Sequence, residues 1–427
     1  MHAVLSPGDR RRRVSRRVSA IAAVAAASLL IAACSSSSSP SGSSSGSATA
    51  DIKIGQIDSI SGGYPFGDAV AGAQSYVAMV NAAGGIHGHK IVFESGDDKG
   101  QASEAATLAR KFVEQDGDVA LIGDSSLPEC PTNQGYYTQN KVPIVGTGAQ
   151  PQCFAQPFFQ PVNAGPYIGH EVMWDYTFSQ LKPASVCQLE QNDPTSIKYY
   201  DQLRAEFVAS HPGAKFTEVT YVNDASKDPT PAVTQAKQAG CDLIMLSTVA
   251  PNLVAFVKAA KQVGLDATFM CLGSCYDASV PKTLGALGEP GALGPKDQGV
   301  FVAAELAPIN DPSPDVQAMV AQFKKTNTPA DFWSEIGWLS MAEVVNALTA
   351  NKGGGDITTS AGVVAALQKM DPYTNGLAAT PLIFGTAQSH APNLGSKMLL
   401  IKNGDWTTAP GQGSNGFTIV KAPTPPN

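Results

Sequence analysis

From Asp51 onward, short runs rich in β-branched and aliphatic residues alternate with segments of helical periodicity, a pattern that restricts the chain to parallel βαβ units. IKIGQI (52–57) reads as a strand, and Val70, Ala73, Val77 and Val80 then share one helical face that closes on Gly84-Gly85. KIVFES (90–95) is a second strand, followed by a helix with Ala105, Leu108, Ala109 and Phe112 inward; DVALIG (118–123) and VPIVGTG (142–148) add two more strands. The series then restarts with ASVCQLE (184–190), a helix over 197–210, KFTEVTYV (215–222), a helix over 230–239, CDLIMLS (241–247), a helix burying Leu253, Phe256, Val257 and Ala260, and ATFMCLG (267–273). Two such series exceed one compact sheet and predict two similar lobes. Beyond them, GVFVAAE (299–305) reads as a strand, helices are predicted over 314–325, 333–349 and 360–369, and Lys402 to Trp406 carries hairpin chemistry. In open α/β sheets ligands sit beyond the carboxyl ends of the strands, so the residues just after each strand matter most.

The chain begins differently. Six arginines between Arg10 and Arg17 precede an apolar run from Ala20 to Ala33, the pattern of a secretory signal peptide over residues 1–33. The run falls short of the roughly 20 residues of a comfortable membrane span. Ile31-Ala32-Ala33-Cys34 resembles a bacterial lipobox, which would place a lipid on Cys34; ordinary signal-peptidase cleavage is the alternative. Residues 34–50 hold serine, glycine and other small residues with nothing large to bury, and are expected to act as a tether. The body is then expected on the extracytoplasmic face of the cell membrane, held by the lipid.

Without residues 1–33 the formal charge moves from −7 to −12, because six arginines and one aspartate leave. An acidic body of that kind is a poor partner for nucleic acid or an anionic membrane surface, and small molecules or proteins are expected instead. Beyond Cys34, six cysteines remain, an even number suited to an oxidising compartment. The pairings expected from topology, among the 15 possible, are Cys130 with Cys153, Cys187 with Cys241 and Cys271 with Cys275. No CxxC pair or histidine cluster accompanies them, so neither metal nor other cofactor is expected. His87-Gly88-His89 reads as a solvated turn, and Glu335, between Trp333 and Trp338, as a capping or pairing residue.

Several motifs together resemble the type I periplasmic binding proteins, in particular the branched-chain amino acid group that serves ABC transporters. They are the first strand, Ser61-Gly62 and Phe66-Gly67, the helix ending Asn81-Ala82-Ala83-Gly84-Gly85-Ile86, the turn Gly88-His89-Lys90, and Asp97-Asp98 after the second strand. The resemblance covers most of the span from residue 52 to about 350 and fades toward the C-terminus. It implies an α/β fold of two Rossmann-like doubly wound lobes joined by a three-crossing hinge. Its N-terminal lobe would hold residues 51–163 and 305–382 and its C-terminal lobe 164–304 and 383–427, with crossings near Val162 to Gly165, Ala303 to Glu305 and Pro381 to Gly385. It also implies a monomer that holds a small-molecule ligand in the cleft and whose closure is recognised by permease subunits.

The same resemblance nominates the site. Ser125 and Ser126 follow the third strand and would meet a carboxylate or other anionic group, although an N-cap alone would use the same residues. Gly148, through its N–H, and Gln150, through its amide, follow the fourth strand. Tyr64 and Phe66 supply aromatics after the first strand; Thr195 and Ser196 stand where many relatives carry an aromatic; Tyr276 is expected as a stacking wall. Amino-acid-binding relatives place an acidic residue near Gly273 to pair with the ligand ammonium, whereas this chain reads Gly273-Ser274-Cys275-Tyr276-Asp277, which puts an α-amino acid ligand in doubt. The function expected is therefore an extracytoplasmic solute receptor of an ABC importer for a small polar molecule, amino-acid-like, amide or carboxylate. A ligand sensor for a membrane signalling partner uses the same fold. A hydrolase is disfavoured, since the sequence contains no GxSxG elbow, no HExxH helix and no paired-acid motif.

Overall fold

Strand β1 (Ile52–Asp58) lies between β2 (Ile91–Asp97) and β3 (Ala120–Gly123), and β4 (Ile144–Gly146) and β5 (Phe159–Pro161) complete a parallel sheet of order β2-β1-β3-β4-β5. Its connections are helices α1 (Asp68–Ala82), α2 (Ala102–Arg110) and α3 (Glu129–Asn140). These come from a computed structural model that describes residues 49–62, 65–123, 125–148, 150, 153–154, 156–192, 196–222, 228–385, 392–412 and 416–420. The predicted inner faces are used: Val70, Ala73 and Val77 of α1, and Ala105, Ala109 and then Phe112 after α2, are buried.

After β5 the chain crosses to a second sheet through α4 (Gly165–Tyr176). That sheet is built from β6 (Val186–Gln191), α5 (Ile197–Ser210), β7 (Glu218–Val222), α6 (Thr230–Ala239), β8 (Leu243–Leu246), α7 (Ala250–Val263), β9 (Thr268–Leu272), α8 (Ser279–Leu284) and β10 (Val300–Ala304). The chain then leaves for α9 (Pro314–Thr326), α10 (Phe332–Ala350) and α11 (Ser360–Lys369), and α10 packs along α1 and against β3 and β4 of the first sheet. It crosses a third time to add β11 (Gly395–Lys402), β12 (Asp405–Thr408) and β13 (Thr418–Ile419), giving the order β12-β11-β10-β9-β8-β6-β7 with β13 on β11. The β11–β12 hairpin turns at Asn403-Gly404, where φ is 55° and 74°, as the sequence chemistry predicted.

The contact of α1 with α10 fixes the first lobe's added helix. A Cβ on Gly72 would lie 1.9 Å from the Ser334 carbonyl oxygen, and one on Gly337 would lie 1.8 Å from the Ala69 carbonyl oxygen. Only paired glycines allow the two backbones to approach so closely. The cysteines pair as 130–153, 187–241 and 271–275, with Cα–Cα distances of 6.1, 5.8 and 6.0 Å. Glu335 neither caps nor pairs: Asp331 caps α10 by accepting from Ser334 N at 2.8 Å, and Glu335 is fully buried with both carboxyl oxygens unpartnered. The expectation fails because Asp331 already holds the cap and α10 is buried around nearly its whole circumference, so the Glu335 carboxyl, although in the first turn, reaches no solvent and no partner.

Candidate functional site

In both sheets the strand order reverses once among the parallel strands, between β1 and β3 in the first and between β6 and β8 in the second. Such reversals open a crevice at the carboxyl ends of the strands. The loops that leave those ends converge on a cavity of about 100 Å³. From the first sheet come Phe66 after β1, Leu127 after β3, Thr147, Gly148 and Gln150 after β4, and Asn163 after β5. From the second come Ser196 and Tyr200 after β6, Ser247 to Val249 after β8, Leu272 and Ser274 at the end of β9, and Glu305 after β10. Phe332 and Trp333 at the start of α10 complete the wall, and Trp333 packs on Phe66 with ring centroids 4.3 Å apart. Trp333, Val249 and Ser274 also border a larger space of about 620 Å³, whose other walls include Asp68, Asp277 and Asp331.

The walls are held from behind. Asp97 accepts from Ile60 N (3.0 Å), Ser61 N (3.1 Å) and Ser61 Oγ (2.6 Å), fixing the loop after β1. The Cys130–Cys153 disulfide ties α3 to the Gln150 loop, where Cys153 N donates to Gln150 O at 3.1 Å. In the second lobe the Cys271–Cys275 disulfide closes the turn carrying Ser274, whose hydroxyl donates to Thr248 O at 2.6 Å. The aromatic rings and aliphatic side chains give the cavity an apolar body, with a few fixed polar groups at its edge.

Phe66, Gly148, Gln150 and Ser196 stand in this wall. Tyr64 and Thr195, together with Cys34, lie outside the described residues. Ser125 and Ser126 are buried beneath the wall rather than in it. Ser125 N donates to Asp58 at 2.6 Å, Ser125 Oγ lies 3.0 Å from Thr147 Oγ1, and Ser126 Oγ donates to Asp98. They therefore face carboxylates, which is a poor setting for an anionic group. The Gly148 N–H is also engaged, donating to Asn163 Oδ1 at 2.9 Å while Asn163 Nδ2 returns a bond to Gly148 O at 3.0 Å. Tyr276 is 2% exposed, receives Ile309 N on its hydroxyl at 2.9 Å and borders the larger space instead of the inner cavity, so it packs as core where a stacking wall was expected.

Glu305 is the wall residue that sequence reasoning placed only at a crossing. Its Oε2 accepts from Gly165 N at 2.8 Å, at the start of α4. A Cβ on Gly273 would lie 2.8 Å from Glu305 Cγ and 3.0 Å from Oε1, so the glycine makes room for this carboxyl. Burial pushes its pKa up to about 7, against the lowering effect of hydrogen bonds from Gly165, Ala164 and Asn163. The strand-end rule pointed to it, because it is the first residue after β10; the rule alone did not give its direction. Trp333 had no local signal, since only the long-range contact of α10 with α1 brings it here.

The family described as periplasmic binding protein matches residues 51–404. Leu/Ile/Val-binding protein homolog 1 of Brucella suis biovar 1 (strain 1330) is 25% identical over 311 residues, covering 71% of this chain and 80% of that protein. Among solved structures, a branched chain amino acid ABC transporter protein from Thermus thermophilus with bound valine superposes with a TM-score of 0.72 at 16% identity, over 84% of this chain and 95% of its own. A solute binding protein of an ABC transporter from R. palustris, in complex with benzoate, gives 0.69 at 15% identity, over 87% and 98%. At these identities the two structures bear on the fold alone.

Proposed function

The chain belongs to the periplasmic binding protein family, and from that premise we propose that it is the solute receptor of an ABC importer, taking a small polar or amphipathic molecule into the cleft between its lobes. The observation that carries the proposal is the convergence of strand-end loops from both sheets, with Glu305 and Asn163 at the crossings, on one apolar cavity with fixed polar groups. A molecule there touches both lobes at once and favours the closed arrangement, which a permease can read. As a member of a binding family the chain works by this population shift and makes or breaks no covalent bond in its ligand.

The proposal extends to location. The arginine-rich start, the apolar run and Cys34 support export and lipid anchoring, with residues 35–50 as the tether. No helix of the described residues is long and apolar enough to cross a membrane. Expressed in a bacterium, the chain is expected in the membrane fraction, and Cys34→Ser is expected to release it; a Cys34→Ser protein that stays membrane-bound contradicts the anchor. For the binding function, thermal unfolding against amino acids, amides and carboxylic acids is the test. A ligand at 100 times its Kd adds about 2.7 kcal/mol of stability. A wide set of such molecules that leaves the unfolding midpoint unmoved contradicts the assignment of solute class.

A further inference from the structure

Gln150 is 3% exposed and stands in the cavity wall, yet its Oε1 is buried with no hydrogen-bond partner. A buried carbonyl left without a donor is costly, and such an atom in a binding wall waits for the donor that a ligand brings. The second acceptor in the wall is the Glu305 carboxyl. No lysine, arginine or histidine is among the described residues lining either cavity, and the larger space next door adds Asp68, Asp277 and Asp331. Two of the donors nominated for an anionic head group are engaged elsewhere: the Ser126 hydroxyl with Asp98, and the Gly148 N–H with Asn163.

We propose that the cleft selects a ligand with an N–H donor head and no carboxylate, a primary amine or primary amide on an apolar body, whose head hydrogen-bonds to Gln150 and Glu305. This rests on the solute-receptor reading and narrows it. The apolar body lies against Phe66 and Trp333, whose rings pack together on one side of the cavity. A carboxylate placed in the same position meets the unpaired Gln150 oxygen and, whenever Glu305 is ionised, a like charge, with no cationic side chain among the described lining residues to offset its own.

Two matched series test this on the full chain by calorimetry and small-angle scattering. One is 3-methylbutylamine, 4-methylpentanamide, 4-methylpentanoate and leucine; the other is benzylamine, benzamide, benzoate and phenylalanine. The amine or amide of at least one series is expected to bind at least tenfold more tightly than the matching acid and amino acid. Gln150→Leu is expected to weaken that binding about tenfold, the scale of one buried hydrogen bond, while leaving the unfolding midpoint of the empty protein unchanged or higher because an unpaired acceptor is gone. Gln150→Glu keeps an acceptor and is expected to retain the amine. A residue that only supports the loop would lower midpoint and affinity together. Acids or amino acids that bind as well as the amine and amide, no binding by any amine or amide, or full affinity in Gln150→Leu overturns the inference. An acid that binds tightly and compacts the molecule overturns it while leaving the receptor reading intact; a ligand that binds without any compaction counts against the receptor reading itself.

Discussion

Burial raises the Glu305 carboxyl to about 7, so near neutrality it carries its proton part of the time. A cationic amine beside it favours the ionised form, and below pH 7 binding must first displace that proton. Affinity for 3-methylbutylamine is therefore expected to rise from pH 6 to pH 8, by up to about tenfold per pH unit below the pKa and levelling above it. The ligand's own charge stays constant across that window. Calorimetry at the two pH values checks the sign, and an affinity that falls with pH removes Glu305 as the partner. At this scale the site was partly legible in the sequence. Phe66, Gly148, Gln150 and Ser196 follow strands and line the cavity, as the strand-end rule requires. The serines after β3 satisfy the same rule but turn inward, because Asp58 and Asp98 from neighbouring strand ends claim their donors. Side-chain competition of that kind is set by residues more than 25 positions apart, and no local pattern records it.

Helix α10 is the element with the heaviest polar load. Glu335 and Glu343 are fully buried in it without hydrogen-bond partners, and burial pushes Glu343 up to about 8 and Glu335 well above the ordinary range. A carboxyl raised in the folded state binds its proton more tightly than in the unfolded chain. Its stabilising contribution is complete below the unfolded value near 4.5 and is lost as pH rises through about 8. The unfolding midpoint is thus expected to fall between pH 5 and pH 8.5, and Glu343→Gln is expected to flatten that slope and raise the midpoint at pH 8.5; a slope unchanged in the variant contradicts the assignment. Most elements were readable from periodicity, including α5, α6 and α11 with their observed limits. Two were not. Strand β5 is three residues long and ends in proline, and α4 is buried on nearly every side, so neither presents an alternation or a single apolar face.

At the scale of the whole molecule, two sheets meet through three crossings, and the cavity lies where the strand ends of both converge. The first crossing is a handful of residues, from Val162 to the start of α4, and Glu305 at the second crossing bonds to Gly165 at the first. A hinge of that kind lets the lobes turn as bodies, and a ligand that contacts both shifts the balance by its difference in affinity for the open and closed forms. The most direct measurement is small-angle scattering of the protein with and without a ligand shown by calorimetry to bind. A smaller radius of gyration in the bound state, reversed when the ligand is removed, is the predicted result. A radius identical in both states, for every ligand that binds, contradicts the two-lobed clamp.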